Sequence, residues 1–164
     1  MTTVLAVDLG SASGRVLAGT LTDGRLEVTD IHRFKHEARR REDGTLTWDV
    51  ATMEAETING LTKALEQFPD ARAVSIDTWG VDWAPLDEDG RLVGDVIAYR
   101  DERTSRTLDA FRERIADREF FDLTGNQPAT INTANQLFAY LREDPEAASR
   151  VAAALFLPDY FAYR

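Results

Sequence analysis

The segment between residues 4 and 17 constrains the fold more than any other part of the sequence. An apolar run ends on the carboxylate of Asp8, passes through small residues at positions 10–14 and continues into a second apolar run. Both common phosphate-binding loops instead lead from a strand into a helix, and the Walker loop also requires Gly-Lys-Ser/Thr. This segment meets neither condition, because its turn leads into a second apolar run and contains no Gly-Lys-Ser/Thr. It therefore predicts two strands of a β-meander joined by a small-residue turn.

The small residues of this turn suit an anion-binding site. Backbone N–H groups can converge on an anion there, and glycine tolerates the positive φ angles that such a concave turn usually needs. Asp8 would repel a phosphate unless a cation lay between them, and Mg²⁺ binds one or two carboxylates together with phosphate oxygens. Nucleotide and magnesium binding is one interpretation of the turn. An ordinary hairpin with a capping aspartate is the other.

The first half of the sequence predicts a meander followed by a helix. Strands are expected at residues 4–9, 15–21 and 26–34, with an Asp-Gly turn before the third. Residues 35–45 form a polar loop, and Asp49 is the predicted N-cap of a helix that ends before Pro69. The side chains expected to reach the core from this helix are Val50, Met53, Ile58, Leu61, Leu65 and Phe68.

A further strand is predicted at residues 73–77. This run is mostly apolar without alternation, which is typical of a strand covered on both faces. Its last residue, Asp77, takes a strand-end position like that of Asp8. The sequence thus predicts two carboxylates at matching ends of two strands.

The second half of the sequence predicts a strand pair around a turn at residues 87–90 and then mainly helices. A charged loop is expected at residues 97–104, and helical segments at 105–115, 133–142 and 145–154. Trp48 and Trp83 are assigned to packing. A surface ion-pair cluster is predicted for Arg100, Asp101 and Arg103, and solvated positions are predicted for His32 and His36.

Composition excludes several classes of function. A net charge of −10 over 164 residues disfavours a nucleic-acid or membrane-surface partner, and no cysteine is present to form a disulfide or a thiolate metal site. The sequence shows no signal peptide or membrane span, so a cytoplasmic location is expected. Apolar and aromatic residues crowd the last ten positions, which predicts that the chain is part of a longer protein. No particular oligomeric state is predicted.

Five segments, in order, resemble the FGGY family of carbohydrate kinases, and most closely its members that act on L-rhamnulose. They are Ala-Val-Asp-Leu-Gly-Ser-Ala-Ser-Gly-Arg at 6–15, Ile-His-Arg-Phe at 31–34 with Thr-Trp-Asp at 47–49, Ser-Ile-Asp-Thr-Trp-Gly-Val-Asp at 75–82, Tyr-Arg-Asp-Glu-Arg-Thr at 99–104 and Pro-Asp-Tyr-Phe-Ala-Tyr-Arg at 158–164. The resemblance covers the whole chain. It implies an actin/hexokinase-like (ribonuclease H-like) α/β fold with a mixed sheet, in which residues 1–164 form an incomplete N-terminal domain.

The same resemblance implies ATP- and Mg²⁺-dependent phosphorylation of L-rhamnulose to L-rhamnulose 1-phosphate in L-rhamnose breakdown. The residues that would hold the ATP phosphates are Ser11, Ala12, Ser13, Gly14 and Arg15. Asp8 would meet the magnesium through water. On the sugar side, Gly80 would touch the ketose, with Asp77 and Trp79 near it.

No catalytic residue is assigned within this chain, because the family's catalytic aspartate, in a His-Asp-Thr context, is expected beyond Arg164. A fragment without that base would be inactive by itself. Residues 126–133 depart from the family pattern, which carries an apolar, often aromatic run there. The alternatives are therefore a kinase for another ketose or polyol, a non-catalytic nucleotide- or sugar-binding remnant, and an actin-like or acetate-kinase-like relative.

Overall fold

The computed structural model describes all residues from Met1 to Arg164. Its strands are β1 (Thr2–Leu9), β2 (Ser13–Thr22), β3 (Arg25–Lys35), β4 (Ala38–Arg40), β5 (Leu46–Trp48), β6 (Val74–Thr78), β7 (Trp83–Leu86), β8 (Val96–Ile97) and β9 (Ala153–Phe156). Its helices are α1 (Val50–Gln67), α2 (Arg103–Arg112), α3 (Asp117–Thr124), α4 (Thr133–Glu143), α5 (Pro145–Ser149) and α6 (Leu157–Tyr163). Residues 1–39, 48–80 and 156–164 form one compact unit, and residues 40–47 and 81–155 form another.

The first unit contains a mixed four-stranded sheet in the order β3-β2-β1-β6. β1 pairs antiparallel with β2, which pairs antiparallel with β3, so the predicted meander is confirmed. Asp23 and Gly24 both have positive φ, the backbone that a tight Asp-Gly hairpin turn requires. β1 pairs in parallel with β6 on its other side.

Helix α1 covers one face of this sheet. Its buried residues are Val50, Met53, Thr57, Gly60 and Ala64. The predicted core positions Ile58 and Leu65 are wrong, because they are 56% and 49% exposed. Small residues make the contact instead: a Cβ added to Gly60 would lie 2.5 Å from Cγ2 of Val16, so the helix backbone approaches β2 closely at that point. The buried face is therefore rotated from the most apolar stripe of the helix.

Strand β6 lies at the edge of the sheet, and the prediction that both its faces are covered is wrong. Val74 is 52% exposed, although it lies beside the buried Leu5 in the parallel register. Helix α6 packs against β6 and completes the first unit. An ion pair of 3.1 Å between Arg164 Nη2 and Glu54 Oε1 joins the end of the chain to α1.

The second unit combines short strands with helices. Its residues contribute to two short sheets with the orders β4-β5-β8 and β7-β9, and α2 packs against α4. The predicted loop at 35–45 contains β4, and the predicted helical stretch at 145–154 is only partly right, because α5 gives way to β9. Short segments such as α3 and α6 were not predicted at all. None of the helices is both long and apolar enough to cross a membrane.

Asp49 caps α1 as predicted, by accepting hydrogen bonds from the amide of Thr52 at 3.1 Å and from its hydroxyl at 2.7 Å. These bonds lower the pKa of Asp49 below its ordinary value of 3.8. A lowered pKa means that the ionised carboxylate stabilises the fold above pH 3.8 and that this contribution is lost as the pH falls through the folded-state pKa. We expect Asp49→Ala to cost about 1 kcal/mol at pH 7, or roughly 2–4 °C in Tm, and clearly less near pH 3. Thermal unfolding at both pH values checks this, and an effect that grows on acidification would contradict it.

Candidate functional site

Two carboxylates lie side by side where β1 and β6 end. Asp8 and Asp77 are direct partners in the parallel register, so both side chains project from the same face of the sheet, opposite the face that α1 covers. The Asp8 side chain is 41% exposed, and Asp77 is exposed as well. The carboxyl ends of parallel strands are the usual position for ligand groups in α/β folds. The matching strand-end positions predicted from the sequence are therefore confirmed.

Asp8 is held in place by Arg15 on the neighbouring strand. Asp8 Oδ2 accepts from Arg15 Nε at 2.7 Å and lies 2.5 Å from Arg15 Nη2. Both contacts go to the same oxygen, so Oδ1 of Asp8 stays available to a hydrated cation. Arg15 is thus not a freely solvated arginine, because its guanidinium is paired with the Asp8 carboxylate.

The turn between β1 and β2 is closed by its own backbone. The Gly10 amide donates to the Ser13 carbonyl at 2.9 Å, and the His36 amide donates to the Ala12 carbonyl at 3.3 Å. Ala12 and Ser13 are exposed, and the amides of Ser11 and Ala12 take no part in these two bonds. The turn therefore presents a short stretch of backbone and two serine hydroxyls to solvent.

Gly14 serves a purpose that the sequence did not indicate. Neither Gly14 nor Gly10 has a positive φ, so the expectation that the glycines of this turn supply positive φ angles is wrong. Gly14 is instead buried beneath an aromatic ring, where an added Cβ would lie 2.6 Å from Cε1 of Phe34 and 2.8 Å from Cδ2 of Leu9. Close packing against these two side chains therefore disfavours a larger residue at this position.

A cavity of about 420 Å³ opens beside the turn. Its lining residues are Ala12, Lys35, His36, Glu37, Arg39, Asp49 and Thr52. Arg39 Nη2 lies 2.6 Å from Asp49 Oδ2 across the α1 N-terminus. Sequence reasoning assigned residues 35–45 to a polar loop and missed these cations. The sequence signal that could have found them is the concentration of basic residues in this segment, Lys35, Arg39, Arg40 and Arg41.

An aromatic cluster supports the turn and the end of β6. The rings of Trp48 and Trp79 lie 4.6 Å apart, and His36 is about 6 Å from each of them. His36 is only 9% exposed, so its predicted solvated position is wrong. His32 is also not simply solvated, because its Nε2 lies 2.7 Å from Glu56 Oε2. Trp79, predicted near the sugar, makes one edge of this cluster.

Gly80 follows the cluster at the exposed end of the β6 segment. No atom lies within 4 Å of the position that a Cβ would occupy there, so the space beside it is open. Residues 77–80 thus bring together the carboxylate of Asp77, the indole of Trp79 and the open backbone position at Gly80. This combination can bind a polyhydroxylated molecule through hydrogen bonds and ring contact.

The second unit contains a buried charge cluster where the sequence predicted a surface one. Asp101 and Arg103 are 7% and 5% exposed, so the prediction is wrong for both. Asp101 accepts from the amides of Leu46 at 2.7 Å and Arg103 at 2.9 Å, which ties β5 to the start of α2. Burial lowers the pKa of Arg103, and the nearby Asp101 carboxylate opposes that shift. These buried charged residues therefore connect elements inside the second unit.

Trp83 packs on Tyr140 in the same unit, which agrees with its predicted role in the core.

Comparison with known proteins identifies the class of this chain. Residues 3–164 match the N-terminal domain of the FGGY family of carbohydrate kinases, so the chain belongs to that family. Its mixed α/β architecture superposes on a gluconate kinase from Lactobacillus acidophilus with a TM-score of 0.83 at 13% identity, over 99% of this chain and 32% of that one. A xylulose kinase from Rhodospirillum rubrum gives a TM-score of 0.81 at 19% identity, over 98% of this chain and 34% of that one. These likenesses confirm the predicted actin/hexokinase-like fold.

Among individual proteins, the chain is similar to rhamnulokinases. It is 41% identical to the rhamnulokinase of Klebsiella pneumoniae strain 342 over 162 residues, which cover 98% of this chain and 33% of that protein. The rhamnulokinase of a second Klebsiella pneumoniae strain is 40% identical over the same share. The chain spans about a third of the length of these curated relatives.

Proposed function

We propose that this chain forms the phosphate-binding part and one wall of the sugar site of an enzyme that transfers a phosphoryl group from ATP to L-rhamnulose, giving L-rhamnulose 1-phosphate. The observation that carries the proposal is the 41% identity with a rhamnulokinase, because it extends over 98% of the chain. The paired carboxylates and the exposed turn supply groups that such a reaction needs. The base that deprotonates the sugar hydroxyl is an aspartate beyond Arg164 in this proposal.

The donor set fits a magnesium ion bound largely through water. Asp8 offers a carboxylate oxygen at the end of β1, and no group of three or more potential ligand residues is present that would hold a metal by itself. Mg²⁺ keeps several waters and takes one or two carboxylates together with phosphate oxygens. When bound, it neutralises charge that develops on the transferred phosphoryl group. Asp8 would direct Oδ1 towards it, while Arg15 fixes the carboxylate through Oδ2.

The turn and Arg15 would position the phosphates. Phosphoryl transfer depends mainly on alignment of the reacting groups and on preorganised donors around them. The amides of Ser11, Ala12 and Ser13 and the hydroxyls of the two serines are such donors in this proposal, and Gly14 keeps the turn close to β3. Asp77, Trp79 and Gly80 would bind the ketose at the end of β6.

The test is product formation by the complete gene product with Mg-ATP across a panel of L-rhamnulose, D-xylulose, D-fructose and glycerol. We expect kcat/KM for L-rhamnulose to exceed that for each of the others by at least about tenfold, since a site that pairs with specific hydroxyls rejects analogues that lack them. ADP release and mass spectrometry of the sugar phosphate measure it. Preference for another acceptor would contradict the proposed substrate but would still show that the protein is a sugar kinase. Binding of Mg-ATP without any phosphorylated product would point to a binding module.

A further inference from the structure

The end of β3 brings a lysine beside the turn that joins β1 to β2. Lys35, the last residue of β3, is the register partner of Ser13, the first residue of β2. Directly opposed residues of an antiparallel pair project from the same face of the sheet, with Cβ atoms about 4.5–5.5 Å apart. Lys35 also lines the cavity of about 420 Å³ together with Ala12 of the turn. The register and the cavity therefore both place Lys35 next to the turn.

The face of the sheet that carries Lys35 also carries the paired carboxylates. Side chains alternate along a strand, so Ser13 and Arg15 project from the same face of β2. Arg15 is ion-paired with Asp8 on that face, and Asp8 is the register partner of Asp77. Lys35, opposite Ser13, is thus on the same side of the sheet as these carboxylates, away from the side that α1 covers.

Charge divides this face into two halves. Near the turn, the carboxylates lie on β1 and β6, whereas the basic side chains lie on β2 and β3. Arg15 of β2 and Arg33 of β3 are each ion-paired with an aspartate. Lys35 is exposed and takes part in no ion pair, although Glu37 lines the same cavity. Lys35 is therefore the cation of this face that is available to an external anion.

A lysine at this position suits a phosphate oxygen. Its ammonium is a compact charge with three donors on a flexible four-carbon stem, and it binds phosphate as a point charge. The stem is long enough to extend from the end of β3 over the neighbouring turn. The chain has a net charge of −10, so an approaching polyanion meets overall repulsion that a cation beside the turn offsets locally.

We propose that Lys35 binds the phosphate groups of a nucleoside triphosphate held at the 10–13 turn. This inference rests on the proposed function, because it takes the turn as the phosphate site. Lys35 supplies positive charge and the turn supplies neutral donors. The two halves of the face orient the ligand, because its phosphate oxygens lie over β2 and β3 while Asp8 on β1 remains for the metal.

The first test is made on the wild-type protein. Lys35 and Lys63 are the two lysines of this chain, and Lys63 lies on α1, where its Nζ is 3.2 Å from His32 Nδ1. The complete gene product is acetylated with acetic anhydride, with and without saturating Mg²⁺ and a non-hydrolysable ATP analogue, and mass spectrometry compares the two sites. We expect the analogue to reduce acetylation of Lys35 at least about fivefold and that of Lys63 less than about twofold. Adenosine, which has no phosphate, should protect neither lysine.

Substitutions separate a phosphate contact from simple shielding. In the complete gene product, Lys35→Gln should raise the Kd of the magnesium-bound analogue about tenfold in calorimetry, equivalent to about 1.4 kcal/mol. Lys35→Arg keeps the charge and should recover most of that loss, since arginine also pairs with phosphate. The KM for the ketose should stay within about twofold of the wild-type value. Lys63→Gln is the matched control and should bind the analogue like the wild type.

Different outcomes separate the two proposals. Equal acetylation of Lys35 with and without bound analogue would overturn its role, and so would an unchanged Kd in Lys35→Gln or an equal loss for nucleotide and ketose. Each of these results leaves the kinase intact. If Lys35→Gln does not fold, the acetylation of the wild-type protein decides. A wild-type protein that does not bind Mg-ATP in calorimetry would overturn both proposals.

Discussion

Replacing Asp8 by Asn in the complete gene product is expected to reduce kcat about a hundredfold or more while changing Tm by only a few degrees. Asn keeps the shape of the side chain and can still accept from Arg15, but it lacks the negative charge that would hold a hydrated magnesium ion. Losing one preorganised electrostatic contact of this kind typically costs 10²–10³-fold in rate, on the order of 3–4 kcal/mol. Steady-state kinetics at saturating ATP and sugar, with a magnesium titration, measure the effect.

Asp30→Asn is a matched control for this experiment. Asp30 also accepts from an arginine Nε, that of Arg33, at 2.6 Å, but it lies on β3, away from the end of β6. Loss of this exposed pair should cost little. If Asp8→Asn lowered Tm strongly and left kcat within a few-fold of the wild type, Asp8 would be a structural residue rather than a ligand.

Gly14→Ala is expected to lower the free energy of unfolding by about 2 kcal/mol, which corresponds to roughly 4–8 °C in Tm. The new Cβ would overlap the ring of Phe34 and the side chain of Leu9, and Leu9 is fully buried, so its methyl group has little free space to move into. Any relief that shifts Phe34 also disturbs His36, whose ring lies 6.0 Å away. Calorimetric unfolding measures the stability, and the KM for Mg-ATP reports the accompanying change in the turn.

Gly19→Ala supplies the control on the same strand. Its added Cβ would meet Leu26 Cδ1 at 3.5 Å, an ordinary van der Waals contact. Both substitutions change backbone entropy equally, so a difference between them isolates the overlap at Gly14. Equal Tm values for the two variants would show that β2 and β3 yield at Gly14 and would remove the packing argument for this glycine.

The local parts of the fold followed from the sequence because short-range patterns determine them. The meander, the Asp23-Gly24 turn and the Asp49 cap each depend on a few adjacent residues whose preferences agree. The strand-end positions of Asp8 and Asp77 could be predicted for a similar reason, since both aspartates end apolar runs. The sequence predicted similar strand-end positions for these two residues, and the structure adds that they are direct neighbours in the parallel register. Phosphate, sugar and metal contacts remain predictions.

Long-range packing explains what the sequence did not reveal. The burial of His36 and Arg103 depends on partners far along the chain, so isolated charged or polar residues were wrongly placed at the surface. The contact face of α1 is set by Gly60 against Val16, and a glycine carries no hydrophobic signal. The edge position of β6 likewise depends on sheet order, which composition does not encode.

The late position of α6 in the sequence has a consequence for folding during translation. This helix completes the first unit but begins only at Leu157, whereas the strand it covers ends at Thr78. At about 5–20 residues per second, a ribosome takes roughly 4–16 s to make the intervening polypeptide. During that interval the second unit is synthesised, and β6 of the nascent sheet is not yet covered by α6. An uncovered strand is prone to aggregation, so the first unit is most vulnerable until α6 has been made.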